Sequence, residues 1–245
     1  MRNSAFAILI LLLTNILAFA GEDAPVFTKL CEAIFHEHVE NGLVNYGALQ
    51  KSPQMLNKAV NLLTEIDPKK FTDRNKELAF WINAYNILVL HSIVAAFPIK
   101  SPMDVKGFFD RKKHPVGSEK LTLNEIENKK IRAKFKDARI HFVLVCAARS
   151  CPILISNAYL GDTVDAQLDA RAKATLNDPK YVRVDAKAGK VYMSEIFRWY
   201  KEDFINGKKS VIDYVNQYRT EKIPESYSVD YIHYDWTLND SNLKM

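Results

Sequence analysis

Cysteine is scarce in this chain, which contains three among its 245 residues: Cys31, Cys146 and Cys151. Three cysteines are too few for a disulfide scaffold, and an odd number leaves at least one thiol unpaired. The chain also lacks a glycine-rich nucleotide loop, an HExxH zinc motif, a cofactor-lysine signature and a Gly-x-Ser-x-Gly elbow. These absences exclude several enzyme classes, and we expect neither a cofactor nor a metal.

A strong excess of charge is missing too, since the formal net charge is +5 and basic and acidic residues are interspersed. A net charge this small does not indicate a nucleic-acid partner. Internal repeats, low-complexity linkers and a second domain are likewise not found in the sequence. One domain is the natural expectation for this length.

Residues 1–20 have the pattern of a signal peptide. Arg2 precedes an apolar run over residues 5–19, and the small residues Ala18 and Ala20 flank Phe19 as in a cleavage site. We therefore expect an exported protein, periplasmic or secreted, whose mature domain covers residues 21–245. The alternative is an uncleaved membrane anchor; after cleavage we expect no membrane span.

One long segment, residues 78–99, contains no charged residue, and Asp73 can cap the helix that it predicts. Its length would span a membrane, but its asparagines and Pro98 favour a central helix that is surrounded by protein. Asn83 and Asn86 share a face of that helix, and Tyr85 lies between them. Buried amides must find partners, so the two asparagines either lock neighbouring backbone or face a polar cavity. We take these three residues as candidate binding residues.

The segment Ile140 to Leu154 carries the candidate active site. It begins as an apolar run bounded by Arg139 and Arg149, which predicts a buried strand that breaks into a turn of small residues. Pro152 is favoured at the first position of a helix, so Cys151 would lie at a helix N-terminus, where amide groups and the helix dipole lower a thiol pKa. Alternation along the strand would turn His141 away from Cys146, leaving Cys151 as the thiol that the imidazole can reach. Cys146 is then a core residue, although a Cys146–Cys151 disulfide is the rival interpretation.

An acid precedes this segment. Thr122 and Glu125 match a capping box, which gives Glu125 a local role. Glu127 instead falls on the apolar stripe, where a carboxylate is costly unless it is paired. The alternative is that it lies at the edge of the stripe and reaches water or a lysine.

Helical patterns also cover residues 25–40, 53–66 and 162–176, and strand patterns cover residues 180–193 and 231–236. Ser194 and Ser210 can cap two further helices. The sequence therefore predicts an α+β domain in which the long central helix packs against a mostly antiparallel sheet with helices around it.

Several blocks of the chain, in order, resemble the domain-of-unknown-function 547 family, DUF547, over about residues 74–239. The blocks are Phe80–Asn86, Leu123–Glu127, His141–Cys146, Ser150–Pro152, Ser194–Phe204 and Tyr234–Asn239. The family usually has histidine where this chain has Asn128, and often a second proline where it has Ile153. The resemblance implies no reaction, and it leaves Glu127 as the acid carried over from the family pattern.

Cysteine, histidine and a carboxylate are the parts of a thiol acyl-transfer centre. We therefore predict a thiol-dependent hydrolase or acyltransferase for an amide or thioester bond, with Cys151 as nucleophile, His141 as general base and acid, and Glu127 orienting the imidazole. Papain-like and transglutaminase-like hydrolases use such parts beside a long helix, which is an analogy at the level of fold. The substrate is an unidentified small molecule, peptide or cell-envelope polymer.

Two other functions remain open from the sequence alone. The same cleft suits a non-catalytic envelope module that binds its ligand, because protein cores also contain satisfied Cys, His and Glu residues. Cys146 and Cys151 could also form a redox-active pair.

Overall fold

A computed structural model describes residues 23–243, and the predicted signal peptide lies outside this range. The uncharged run forms most of helix α4, Arg74–Ala96, which begins where the Asp73 side chain accepts the amide hydrogens of Asn75 and Lys76. This helix is long and apolar enough to cross a membrane, but 89% of its most apolar window is buried inside the protein. It is therefore the enclosed central helix that the sequence predicts.

The remaining helices surround this centre or extend from it. They are α1 (Asp23–His38), α2 (Tyr46–Lys51), α3 (Gln54–Glu65), α5 (Leu123–Glu125), α6 (Ala133–Phe135), α7 (Val164–Asn177), α8 (Ile196–Trp199), α9 (Lys201–Phe204) and α10 (Val211–Tyr218). A π-helix, Ile126–Arg132, joins α5 to α6, and short 3₁₀ helices cover Pro68–Lys70, Pro102–Asp104 and Ala138–Phe142. Cys31 lies on α1 and is fully buried in the core.

The strands form three small sheets. Strands β1 (Val39–Glu40) and β2 (Leu43–Val44) pair antiparallel, as do β3 (His114–Val116) and β4 (Glu119–Leu121). In the third sheet, β5 (Val182–Asp185) pairs antiparallel with β6 (Lys190–Ser194), and β6 pairs parallel with β7 (Ser228–Ile232). The α+β class and the single compact domain are confirmed.

The predicted partner of the central helix needs correction. The main neighbours of α4 are α1, α2, α3, α7 and the π-helix, whereas we predicted a mostly antiparallel sheet in that position. The reason is that α4 is apolar on nearly all sides, and such a helix can be enclosed by other helices as readily as by a sheet.

The strand predicted from Ile140 is also wrong. Asp137 accepts the amide hydrogen of Arg139 and starts the 3₁₀ helix Ala138–Phe142 instead. A short apolar run shows that a segment is buried but cannot distinguish a strand from a buried helical turn. Beyond this turn, the backbone bonds to a side chain of α4 rather than to another strand. Consequently the alternation argument that placed Cys146 in the core does not apply.

Candidate functional site

A pocket of about 280 Å³ lies where the π-helix, the 3₁₀ turn, α8 and the end of the chain meet. Its polar side brings together the predicted Glu127, His141 and Cys151, and it adds Cys146. Aromatic side chains form much of the rest of its lining: Tyr85, Phe109, Trp199, Tyr200, Tyr234 and Trp236. The pocket therefore contains the three predicted catalytic residues together with the second cysteine.

His141 is held by a carboxylate that we did not predict. Its Nε2 lies 2.7 Å from Oδ2 of Asp203, which lies in α9. The imidazole stacks on the Tyr200 ring with centroids 4.0 Å apart. Asp203 also accepts a hydrogen bond of 2.7 Å from Nε of Arg132. The hydrogen bond with His141, reinforced by Arg132, holds the pKa of Asp203 well below its ordinary value. The carboxylate is therefore charged and fixes the orientation of the ring.

Glu127 lines the same pocket but does not hydrogen-bond His141. It lies in the π-helix and is only 7% exposed. Its carboxylate interacts with the Tyr200 hydroxyl through a hydrogen bond and through its charge. Burial raises the pKa of Tyr200, and the negative charge of Glu127 adds to that effect. The structure thus assigns the orientation of the imidazole to Asp203, while a catalytic role for Glu127 stays a prediction.

The two cysteines of the pocket are neighbours on one tight loop. The amide of Cys146 donates a hydrogen bond of 2.8 Å to Sγ of Cys151, and Ala147 between them has a positive φ of 61°. Sγ of Cys146 lies 3.1 Å from the Tyr234 hydroxyl. The helix expected to begin at Cys151 is absent, since the next helix is α7, so the dipole argument for this thiol fails. The sulfur of Cys151 instead accepts a hydrogen bond from the Cys146 amide in the loop.

The environment distinguishes the two thiols. Burial opposes ionisation of Cys146, but hydrogen bonds with the Cys151 thiol, the Tyr234 hydroxyl and the Ala148 amide together lower the pKa of Cys146 below its ordinary value. Burial and the adjacent Cys146 raise the pKa of Cys151 well above its ordinary value. Cys146 is also the more exposed of the two. A negative charge on this pair would therefore be more stable on Cys146 than on Cys151.

The three candidate binding residues separate into two groups. Asn83 exchanges two hydrogen bonds with the backbone of Tyr159, at 2.8 and 2.9 Å, and Asn86 bonds the carbonyl of Val143 and the amide of Val145. These amides lock neighbouring backbone, which was one of the two alternatives, and contact with a ligand would require breaking those bonds. Tyr85 lines the pocket.

A wider groove of about 740 Å³ lies on the other side of the cysteine loop. It shares Cys151 and Pro152 with the pocket, and Lys100, Arg149 and Lys180 line its walls. The loop that carries the thiols is therefore accessible from two cavities.

Sequence reasoning missed Asp203, Arg132 and Tyr234 as members of the site. Asp203 and Tyr234 both lie within blocks that carry the family resemblance, next to the aromatic residues Phe204 and Trp236, so those blocks contained the signal. Across residues 23–243 the structure shows no group of three or more His, Cys, Asp or Glu side chains arranged to hold a metal ion.

The model of a family described as "Protein of unknown function, DUF547" matches residues 68–175. This match confirms the resemblance for residues 68–175, a segment that covers less than half of the chain. The segment includes Glu127, His141 and both cysteines of the pocket, whereas Asp203 and Tyr234 follow it. Neither a curated protein nor a solved structure matches the chain.

Proposed function

We propose that this protein is an exported thiol-dependent hydrolase or acyltransferase that acts on an amide or thioester bond. The observation that carries the proposal is the sharing of one pocket by two thiols and an imidazole that is bonded to a charged carboxylate. Thiol, imidazole and carboxylate are the groups that nucleophilic acyl transfer requires.

In the proposed reaction the Cys146 thiol transfers its proton to His141 and its sulfur attacks the carbonyl carbon of the substrate. The tetrahedral intermediate collapses to a thioester when the leaving group takes the proton from His141. Water in a hydrolase, or a second nucleophile in a transferase, then releases the acyl group by the reverse sequence. Asp203 stabilises the imidazolium that forms between these steps.

The choice of Cys146 rests on its greater exposure and on the donors around its sulfur. Cys151, the nucleophile predicted from the sequence, is the alternative within the same proposal, because its sulfur receives a backbone amide. An amide that donates to sulfur stabilises a thiolate, so the two roles must be separated by experiment.

The proposal includes a likeness to papain-like and transglutaminase-like hydrolases, supported by thiols and an imidazole placed beside a long central helix. It also includes export to the periplasm or the exterior, which is supported by the pattern of residues 1–20. The substrate is then a small molecule, a peptide or a component of the cell envelope.

Alkylation with iodoacetamide tests the proposal. We expect Cys146 to react rapidly, with a rate that rises to its plateau at a midpoint below pH 9, the ordinary value for a thiol. Cys146→Ser should abolish the fast phase and Cys151→Ser should retain it, while Cys31→Ser is the matched control because Cys31 is fully buried. Slow labelling of both pocket cysteines would contradict the proposal, and a fast phase that is lost only in Cys151→Ser would reverse the roles.

Thiol–disulfide exchange is a second candidate, which the adjacency of the two cysteines favours. Both thiols would pass two electrons and two protons to the disulfide of a partner and become linked to each other. Free-thiol titration of protein purified from the exporting compartment distinguishes the two functions. Three free thiols favour acyl transfer, and one free thiol favours exchange.

A further inference from the structure

Glu127 is the buried acid that the proposed reaction does not use. It is more than nine-tenths buried, it lines the pocket, and no basic side chain of the described residues forms an ion pair with it. Removing a carboxylate from water is costly unless a cation or several donors compensate. The Tyr200 hydroxyl is a side-chain hydrogen-bond partner of this carboxylate.

The cation whose charge acts on Glu127 forms its ion pair with another carboxylate. Arg132 is the closest candidate, but its guanidinium is bound to Asp203 and to the Asn128 side chain, and it stacks over the Tyr200 ring. Asp203 and Arg132 therefore neutralise each other. Glu127 is therefore the carboxylate of the pocket lining that forms no ion pair with a basic side chain of the described residues.

Aromatic rings also line this pocket. Trp199, Tyr234 and Trp236 pack on one another with centroids 4.8 to 6.0 Å apart, and Trp199 is 45% exposed. Aromatic rings attract cations through the negative potential of their faces, and the attraction is larger where water is excluded. An acid and an aromatic wall in one pocket are complementary to a positive charge on an apolar stem.

We propose that this pocket binds the ammonium group of the substrate, with Glu127 as the anionic contact and the Trp199, Tyr234 and Trp236 cluster around the stem. The pocket volume of about 280 Å³ admits one group of side-chain size. The ligand class is therefore an amine or quaternary ammonium compound, free or at the end of a larger molecule. This inference rests on the proposed function only in taking the pocket as the substrate site.

Three small probes that share a phenyl ring test the ligand class by calorimetry on the mature protein: 2-phenylethylammonium, 2-phenylethanol and phenylacetate. We expect the ammonium compound to bind about tenfold more tightly than the alcohol, and phenylacetate to bind most weakly. Equal affinity for ammonium and alcohol, or preference for the carboxylate, would overturn the inference without any variant being made.

A matched pair of variants locates the charge preference. Glu127→Gln should bring the affinities for ammonium and alcohol within about twofold while leaving the alcohol affinity unchanged. Glu202→Gln removes the same charge from an exposed position on α9 and should retain the tenfold preference. An equal loss in both variants, or a preference that survives in Glu127→Gln, would overturn the assignment to Glu127.

The outcome is separable from that of the proposed reaction. None of the probes reacts with a thiol, so their binding does not depend on catalysis. Slow alkylation of the pocket cysteines together with a retained ammonium preference would contradict the enzyme and support the ligand class. Rapid alkylation without that preference would give the opposite result.

Discussion

His141 and His114 are buried almost equally, with 4% and 3% of their surfaces exposed, but their surroundings differ in charge. His141 meets the carboxylate of Asp203 and the ring of Tyr200 at the edge of a pocket. His114 lies on β3, where His91 and Lys112 face it, and its Nε2 has no hydrogen-bond partner. The two side chains are thus equally buried, but a negative group lies beside His141 and positive groups lie beside His114.

This difference determines what each imidazole can do. Burial, helped by the positive charges of Lys112 and His91, lowers the pKa of His114 to about 4, so this ring is neutral in the folded protein near pH 7. His141 instead has Oδ2 of Asp203 at 2.7 Å from its Nε2. Burial alone produces a histidine that resists protonation, and a paired carboxylate produces one that can accept a proton and return it.

The largest expected effect comes from breaking the His141–Asp203 pair. Asp203→Asn removes the charge that stabilises the imidazolium, so we expect the rate of Cys146 alkylation at pH 7 to fall on the order of 100-fold. The pH midpoint of the reaction should rise as well, because the imidazole accepts the thiol proton less readily without the carboxylate. Stopped-flow labelling across the pH range measures both quantities.

Asp230→Asn is the control for this experiment. Asp230 is an exposed carboxylate on β7, 3.4 Å from Nζ of Lys190, and the pocket is lined by other residues. Its substitution should leave the labelling rate unchanged. If Asp203→Asn labels as fast as the wild type, the imidazole does not activate the thiol.

The second effect is on stability and concerns His114. Its pKa is about 4 when folded against 6.5 for an ordinary histidine, so the unfolded chain binds more protons between these values. Its contribution to the free energy of unfolding is therefore complete above pH 6.5 and declines as the pH falls towards 4. His114→Gln should reduce the acid-induced loss of unfolding free energy by about 2 kcal/mol.

Urea denaturation at several pH values between 4 and 7 measures this change in slope. His233→Gln alters an exposed histidine and should keep the pH dependence of the wild type. A slope that is identical in wild type and His114→Gln would show that this ring is protonated in the folded protein. The absolute stability of the variant does not enter the comparison.

The contrast between the two histidines also shows what the sequence could predict. Helix α4, the hairpin β5–β6 and the capping box at Thr122 follow from local pattern, because periodicity and end signals determine them within a few residues. Predicting which residues line a pocket is harder, but the shared family blocks placed Glu127, His141 and Cys151 together in one hypothesis, and all three line it.

The partners could not be predicted in the same way. Asp203 is 62 positions from His141, and only tertiary packing brings the two together. The relation of Cys146 to Cys151 depended on a strand that does not form, because the Asn86 side chain of α4 binds the backbone that a neighbouring strand would have bound. A side chain from a distant segment overrode the local pattern at the point where the site is built.

The smallest expected effect concerns Thr122, which lies between the β3–β4 hairpin of His114 and the helical turn of Glu127. Its side chain accepts the Glu125 amide at 3.1 Å, and the Glu125 carboxylate accepts the Thr122 amide at 3.0 Å. Thr122→Ala removes the first bond, and we expect it to lower the free energy of unfolding by about 1 kcal/mol.

Thr163→Ala is the matched control, since Thr163 precedes α7 without a side-chain cap bond and its substitution should cost much less. Equal costs in urea denaturation would mean that the cap bond adds nothing. Neither substitution alters an imidazole. Both variants should therefore keep the pH dependence of unfolding free energy that His114 produces.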